Sequence, residues 1–217
     1  MRRITKGKEP RSLVKHRAND HCTYENYADK DGLRSALVRE QRGLCCYCMA
    51  RVAASGTGMK VEHWRCQSRY ETLELSYSNL LAACPGGEGQ PVALQHCDTR
   101  KGDADLKFNP ANAAHRIERR IRFDLDGSIA STDPEFDKQV NDVLGLNLAF
   151  LKNRRKAILD AIMEWYRSEK ARLRGPVPRR QIERERAKRA GTGNSHIAPM
   201  DPVAVWWLDQ RLAKGAA

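Results

Sequence analysis

Cys45-Cys46-Tyr47-Cys48, Glu62-His63, Asn79, Cys84, Cys97-Asp98 and Arg100-Lys101 follow one another within 58 residues, from 45 to 102. Hydrolysis of a phosphodiester needs a water nucleophile, a base for its proton, and positive charge on the oxyanion and the leaving oxygen. His63 is a base whose ordinary pKa lies near neutrality. Asp98 is a hard oxygen ligand suited to Mg2+ or Mn2+, and Arg100 and Lys101 can hold phosphate. Asn79 can accept the His63 ring N–H through its amide oxygen and so fix the tautomer. Glu62 points away from His63 in an ideal strand, so it reaches a shared metal only where the strand ends or bulges. Taken singly, each residue has a plainer reading: a lone His is more often structural, an Asn in a loop caps a turn, and Asp98 can cap the helix that follows it. Their order within one segment is what points to chemistry.

Cys45 and Cys48 have the spacing that lets two thiolates share one tetrahedral zinc, and Cys46 between them is not expected as a ligand. Cys84 and Cys97 would complete a four-thiolate set. Twelve residues separate them, however, opening with the loop composition Pro85-Gly86-Gly87-Glu88-Gly89, where a second knuckle normally has only a few. Seven cysteines, with no apolar leader in residues 1–6, are expected to hold metal in a reducing cytoplasm rather than to form disulfides. No segment approaches membrane-spanning length, so no membrane partner is expected. A formal net charge of +12 favours polyanionic partners through phosphate neutralisation and counterion release.

The elements that must position these residues follow from periodicity and punctuation. Residues 1–30 read as an extended arm with a short helix. Leu33, Leu37, Gln41 and Leu44 have helical spacing, with Asp31 as N-cap and Gly43 as stop. Residues 59–64 read as a strand after the Gly56-Thr57-Gly58 turn, and a short helix begins at Thr99. Residues 121–125 and 128–130 flank Asp126-Gly127, a two-residue hairpin signal. Asp133-Pro134 opens another helix. A longer one carries Leu151, Ile158, Ile162 and Trp165 on one face and ends near Gly175-Pro176. Residues 167–189 carry ten Lys or Arg against three Glu, a charge run that more often marks a solvated face than a binding site. Asp201-Pro202 starts a last helix bearing Trp206, Trp207, Leu208 and Leu212. Its adjacent tryptophans point about 100° apart. Either one packs at home and leaves the other for a partner, or both are buried.

The segment 45–102 resembles the zinc-containing branch of the HNH endonucleases, whose pattern is Cys-x2-Cys, Asp/Glu-His, Asn, Cys, and then Cys-Asn/His with a nearby Lys. Met59-Lys60-Val61-Glu62-His63, Asn79-Leu80-Leu81-Ala82-Ala83-Cys84 and Gln95-His96-Cys97-Asp98 with Lys101-Gly102 are similar to the HNH nuclease subunits (PtuB) of Septu antiphage systems. So are the Glu9-Pro10 arm, Leu144-Gly145-Leu146-Asn147 and the tryptophan-bearing last helix. The resemblance implies an α+β, mainly α-helical fold: a zinc-stapled ββα-metal finger in a helical body with a small β-hairpin. The parts are an N-terminal arm and helix (1–44), the HNH module (45–110), and a helical C-terminal region with the hairpin and the basic segment (111–217).

The resemblance also implies His63 as general base, with Glu62 and Asn79 matching the family's catalytic positions. Structural Zn2+ would lie on Cys45, Cys48, Cys84 and Cys97. Catalytic Mg2+ or Mn2+ would lie on Glu62 and on Asp98 or His96. Arg65-Cys66 departs from the pattern, standing where a proline usually follows the Glu-His pair. The partners implied are nucleic acid, DNA ahead of RNA, and a PtuA-like ATPase subunit, for this chain has no Gly-x4-Gly-Lys-Ser/Thr loop of its own. The alternative is a non-catalytic zinc-stabilised module binding nucleic acid or protein, which has no use for Glu62-His63 or Asn79.

Overall fold

A computed structural model describes residues 1–191 and 195–214. It is an α+β structure with two small antiparallel sheets. Helices α1 (Arg11–Arg17) and α2 (Lys30–Glu40) precede β1 (Lys60–His63) and β2 (Leu80–Ala83), and α3 (Cys97–Lys101) follows. Next come α4 (Ile117–Arg120), the hairpin β3 (Ile121–Phe123) and β4 (Ile129–Ser131), and α5 (Pro134–Lys138) with one π turn after it. Helices α6 (Ala149–Leu173), α7 (Arg179–Ala190) and α8 (Asp201–Lys214) complete the chain.

Helix α2 starts one residue before the expected cap. Asp29, not Asp31, accepts the Gly32 N–H at 3.0 Å, while Asp31 sits in the first turn and pairs with Arg34 at 2.7 Å. Leu33 and Leu37 are buried, as the spacing predicts. Gly43 ends the segment at a φ of 76°, its N–H closing on the Val38 carbonyl at 2.8 Å. The buried Gln41 extends the helix's reach: its amide oxygen takes the Ala82 N–H at 2.7 Å and its amide nitrogen donates to the Ala82 carbonyl at 2.8 Å. One side chain thus acts as a third strand for β2, all four residues of which are buried.

The β3–β4 hairpin turns at Gly127 with a φ of 84°. A Cβ there would stand 2.1 Å from the Lys152 carbonyl oxygen of α6, so only glycine fits. Asp133 caps α5 ahead of Pro134, as expected. On α6 the fully buried stripe is Leu151, Arg155, Leu159 and Ile162, while Ile158 and Trp165 lie at its margin. The basic run splits in two, its second half forming the separate helix α7.

Helix α8 packs against α6 and α7. Trp207 is buried against Tyr166 with ring centroids 5.5 Å apart, and the half-buried Trp206 meets Phe123 edge-on at 5.4 Å. Both rings are therefore seated on the chain's own body, because α8 is covered on two sides. Among the described residues, no helix is long and apolar enough to cross a membrane.

Candidate functional site

The knuckle hangs from β2. Cys46 N–H donates to the Ala82 carbonyl at 2.9 Å, and Cys45 and Met49 close the turn through the Cys45–Ala50 and Met49–Cys45 backbone bonds. From the far side, Cys97 N–H donates to the Leu144 carbonyl at 2.9 Å. These anchors bring the buried sulfurs of Cys45, Cys48, Cys84 and Cys97 within 4.8 Å of one another. Four sulfurs bound about 2.3 Å from a tetrahedral zinc stand about 3.8 Å apart. Here Cys45 Sγ to Cys97 Sγ is 3.8 Å and Cys48 Sγ to Cys84 Sγ is 3.6 Å. The donor set can hold a metal such as zinc, and the loop between Cys84 and Cys97 does not prevent their meeting.

The electrostatics of the sulfurs point the same way. Burial, then hydrogen bonding to the other three thiols, pushes Cys97 well above the ordinary thiol pKa. Burial also opposes ionisation of Cys45, yet the thiols around it hold its pKa well below that value. Cys48 is likewise lowered, to about 7, while Cys84 is raised with Cys97, so without a cation two thiols ionise at the expense of the other two. A cation lets all four ionise. Arg155 adds fixed positive charge: burial lowers its pKa to about 10 against the pull of Cys48, Asp126 and Cys97. Its Nε and one terminal nitrogen donate to the carbonyls of Gly127 at 2.6 Å and Leu146 at 2.7 Å.

The other candidates gather on β1 and α3. Glu62 is fully buried, and its Oε1 accepts from Tyr47 Oη at 2.6 Å and from Lys101 Nζ at 3.0 Å. Its Oε2 has no hydrogen-bond partner. Burial, then the adjacent Asp98 carboxyl, raises the Glu62 pKa well above the usual carboxylate range, with Lys101 and Tyr47 pulling the other way. Asp98 Oδ2 also faces Lys60 Nζ at 3.5 Å. Two carboxylates, from a strand and a helix, thus converge between two lysines.

His63 is 7% exposed, with Tyr24 edge-on at 4.7 Å. Its Nε2 lies 3.0 Å from the Glu74 carbonyl oxygen. That oxygen can only accept, so Nε2 carries the proton and Nδ1 is the basic nitrogen. Burial lowers the His63 pKa, while the Glu74 hydrogen bond and then Asp98 oppose the shift. The ring is therefore held in the neutral, proton-accepting form.

Three expected contacts are replaced. Asn79 does not touch the His63 ring: its Oδ1 takes the Arg65 N–H at 2.7 Å, and its Nδ2 donates to the carbonyls of Arg65 at 3.0 Å and Leu73 at 3.1 Å. It clamps the loop that carries the Glu74 carbonyl, because an amide offering one acceptor and two donors matches a loop backbone better than one ring N–H. Lys101 does not face solvent or a phosphate. Its side chain is 1% exposed and bonds Glu62, the His63 carbonyl at 3.1 Å and the Gly102 carbonyl at 3.3 Å, using all three donors. His96 turns away from the carboxylates, placing Nδ1 3.1 Å from Cys97 Sγ and 3.9 Å from Cys84 Sγ.

Arg100 is half-buried and donates to the Asp142 carbonyl at 3.1 Å. Helix α3 begins at Cys97, not Thr99, so Asp98 lies in its first turn. Tyr47, Lys60, Arg155 and the Glu74 carbonyl belong to the site and were not anticipated. Tyr47 and Lys60 had a signal, since one sits inside the knuckle and the other in the Met59–His63 motif. No protein-family model and no curated protein matches the chain.

Proposed function

We propose that the chain is a metal-dependent endonuclease of the HNH type, with a zinc-stapled β1–β2–α3 finger as its catalytic unit. The observations that carry this reading are the His63 ring, whose Nε2 is fixed by the Glu74 carbonyl so that Nδ1 is the proton acceptor, and the buried Glu62, whose Oε2 has no hydrogen-bond donor among the described residues and lies next to the partly exposed Asp98 carboxyl. An orphaned carboxylate oxygen next to a second carboxyl fits a hard divalent cation, Mg2+ or Mn2+. Bound there, such an ion would supply Lewis-acid stabilisation to a phosphoryl and a leaving oxygen. His63 Nδ1 takes the proton of the attacking water, and the loop clamped by Asn79 keeps the ring turned for that step. Tyr47 and Lys101 hold Glu62 in place. The four cysteines, with Arg155 beside them, carry Zn2+ as the structural staple.

The net charge of +12 supports a nucleic-acid substrate, with DNA proposed ahead of RNA. A regulating PtuA-like ATPase and a role in antiphage defence rest on the sequence resemblance alone, and a cytoplasmic setting on the clustered cysteines. One observation favours the alternative of a non-catalytic zinc module: Lys60 and Lys101 together balance the charge of both carboxylates. Plasmid and RNA cleavage assays in Mg2+ and Mn2+, with and without the ATPase, separate the two. The enzyme reading expects cleavage that His63→Ala reduces about a hundred- to ten-thousand-fold with zinc content unchanged. No divalent-dependent cleavage by the wild type in the reconstituted assembly refutes it.

A further inference from the structure

A recessed cavity of about 340 Å3 lies among the N-terminal arm, β3, α7 and α8. None of His63, Glu62, Asp98 or the cysteines lines it. Its wall carries four guanidinium groups, from Arg2, Arg42, Arg186 and Arg189, against two carboxylates, Glu118 and Asp209. Arg186 grips Asp209 with two nitrogens. Arg189 is paired with Glu185 and Asp201, both at 2.9 Å. Arg42 is anchored on the carbonyls of Ala190 and Ser195, both at 2.9 Å.

Arg2 differs from these three. Its Nε is enclosed and bonded to nothing. Burial, then the Arg42 guanidinium, lowers its pKa, with Glu118 acting in the opposite direction. Withdrawing a guanidinium from water beside a second one is costly unless an anion is drawn in with it. The guanidinium fork is also the side chain best shaped to take two phosphate oxygens at once. The apolar part of the wall includes two aromatic rings, Phe123 and Trp206, beside the aliphatic Met1, Ile121, Ile197 and Val205.

We propose that this cavity binds a nucleoside monophosphate, its phosphate on Arg2 and its base against Trp206 and Phe123. Small-ligand pockets run from about 300 to 1,000 Å3, and this one lies at the lower end, which suits a mononucleotide and excludes a strand. Base–aromatic contact supplies the affinity that phosphate alone would lack. The proposal stands apart from the nuclease reading, since a binding measurement tests it without any cleavage.

Calorimetric titration of the zinc-loaded full chain with AMP, adenosine and inorganic phosphate is the test. The expected result is saturable one-to-one binding of AMP, at least tenfold tighter than either fragment and weakened by salt. Arg2→Gln should weaken it at least tenfold, while Arg180→Gln on exposed α7 leaves it unchanged. Glu118→Gln removes a negative charge from the wall and should tighten binding, which keeps the site testable if Arg2→Gln fails to fold. Absence of saturable binding at millimolar AMP overturns the proposal. So does equal affinity for phosphate and AMP, unaltered binding by a folded Arg2→Gln protein, or a Glu118→Gln protein that binds no more tightly than wild type.

Discussion

Lys101→Met should destabilise the protein strongly, and more so as pH rises. The substitution keeps the side chain's length but removes the ammonium from a pair that is 3.0 Å apart and almost wholly buried, at 1% and 0% exposure. Taking one partner from a buried ion pair costs about 3–5 kcal/mol, because the other charge is left uncompensated. The lost bonds to the His63 and Gly102 carbonyls add about 1 kcal/mol each. Glu62 can limit the cost by staying protonated, and its pKa is already raised by burial and Asp98. Without Lys101 it rises further. A carboxyl whose folded pKa exceeds its unfolded one contributes stability that is full below the unfolded value, near 4.5, and lost as pH rises through the folded value. Urea unfolding at pH 5 and pH 8 should therefore show the larger loss at pH 8, and Glu62→Gln added to Lys101→Met should recover most of it. A loss under about 1 kcal/mol at both pH values would refute the buried-pair account and return Lys101 to a surface role such as phosphate contact.

Cys97→Ser should release the metal and unfold the finger, because metal binding and folding share one free energy; elemental analysis and circular dichroism read both, and full metal in a well-folded variant removes Cys97 from the ligand set. Asn79→Ala should leave metal content intact but slow cleavage roughly ten- to a hundredfold, as expected of a positioning group, and a shift in the acid limb of its pH–rate profile would show that the loop, and not only stability, has changed. In the wild type, kcat/KM should rise with pH through the His63 pKa, with a midpoint below the ordinary 6.5, and stay flat above it; a midpoint above 6.5 contradicts the burial-dominated shift.

Much of this site was legible where signals are local. The Cys45–Cys48 knuckle and the β1 strand are each encoded within a few residues and lie where the spacing places them. The hairpin forms as expected, but its register pairs Phe123 with Ile129 and leaves residues 125–127 as a three-residue loop rather than a two-residue Asp126-Gly127 turn. Contacts fixed at long range were not legible. The type of Lys101 announces a charge but not its burial, so it reads as a phosphate contact until Glu62 is seen beneath it. The partner of the His63 ring is a backbone carbonyl, and a carbonyl leaves no trace in residue identity. Asn79 reads in the sequence as an acceptor for the His63 ring N–H and instead bonds the backbone of Arg65 and Leu73, since its neighbours come from a loop whose path periodicity does not describe. Asp29 and Asp31 are equally good caps in isolation, and residue type alone does not tell that the helix starts at Lys30. Arg155 carries no signal in the sequence, because an arginine on a long helix does not announce that it is the largest fully buried side chain of the described residues.

The twelve residues between Cys84 and Cys97 obscured the second pair of sulfurs in the sequence, and their energetic weight is small. Closing a twelve-residue loop instead of a two-residue one costs only about 1.5 kcal/mol, because closure entropy grows with the logarithm of length. Binding of a structural zinc releases about 10–16 kcal/mol. The clasp thus tolerates slack. The insert carries its apolar Val92 and Leu94 outward, at 69% and 51% exposure, rather than lending them to the interior. This stretch is consequently the place in the finger where length is nearly free to drift, and where a reporter sequence could be spliced in while the four sulfurs keep the arrangement that can hold a metal.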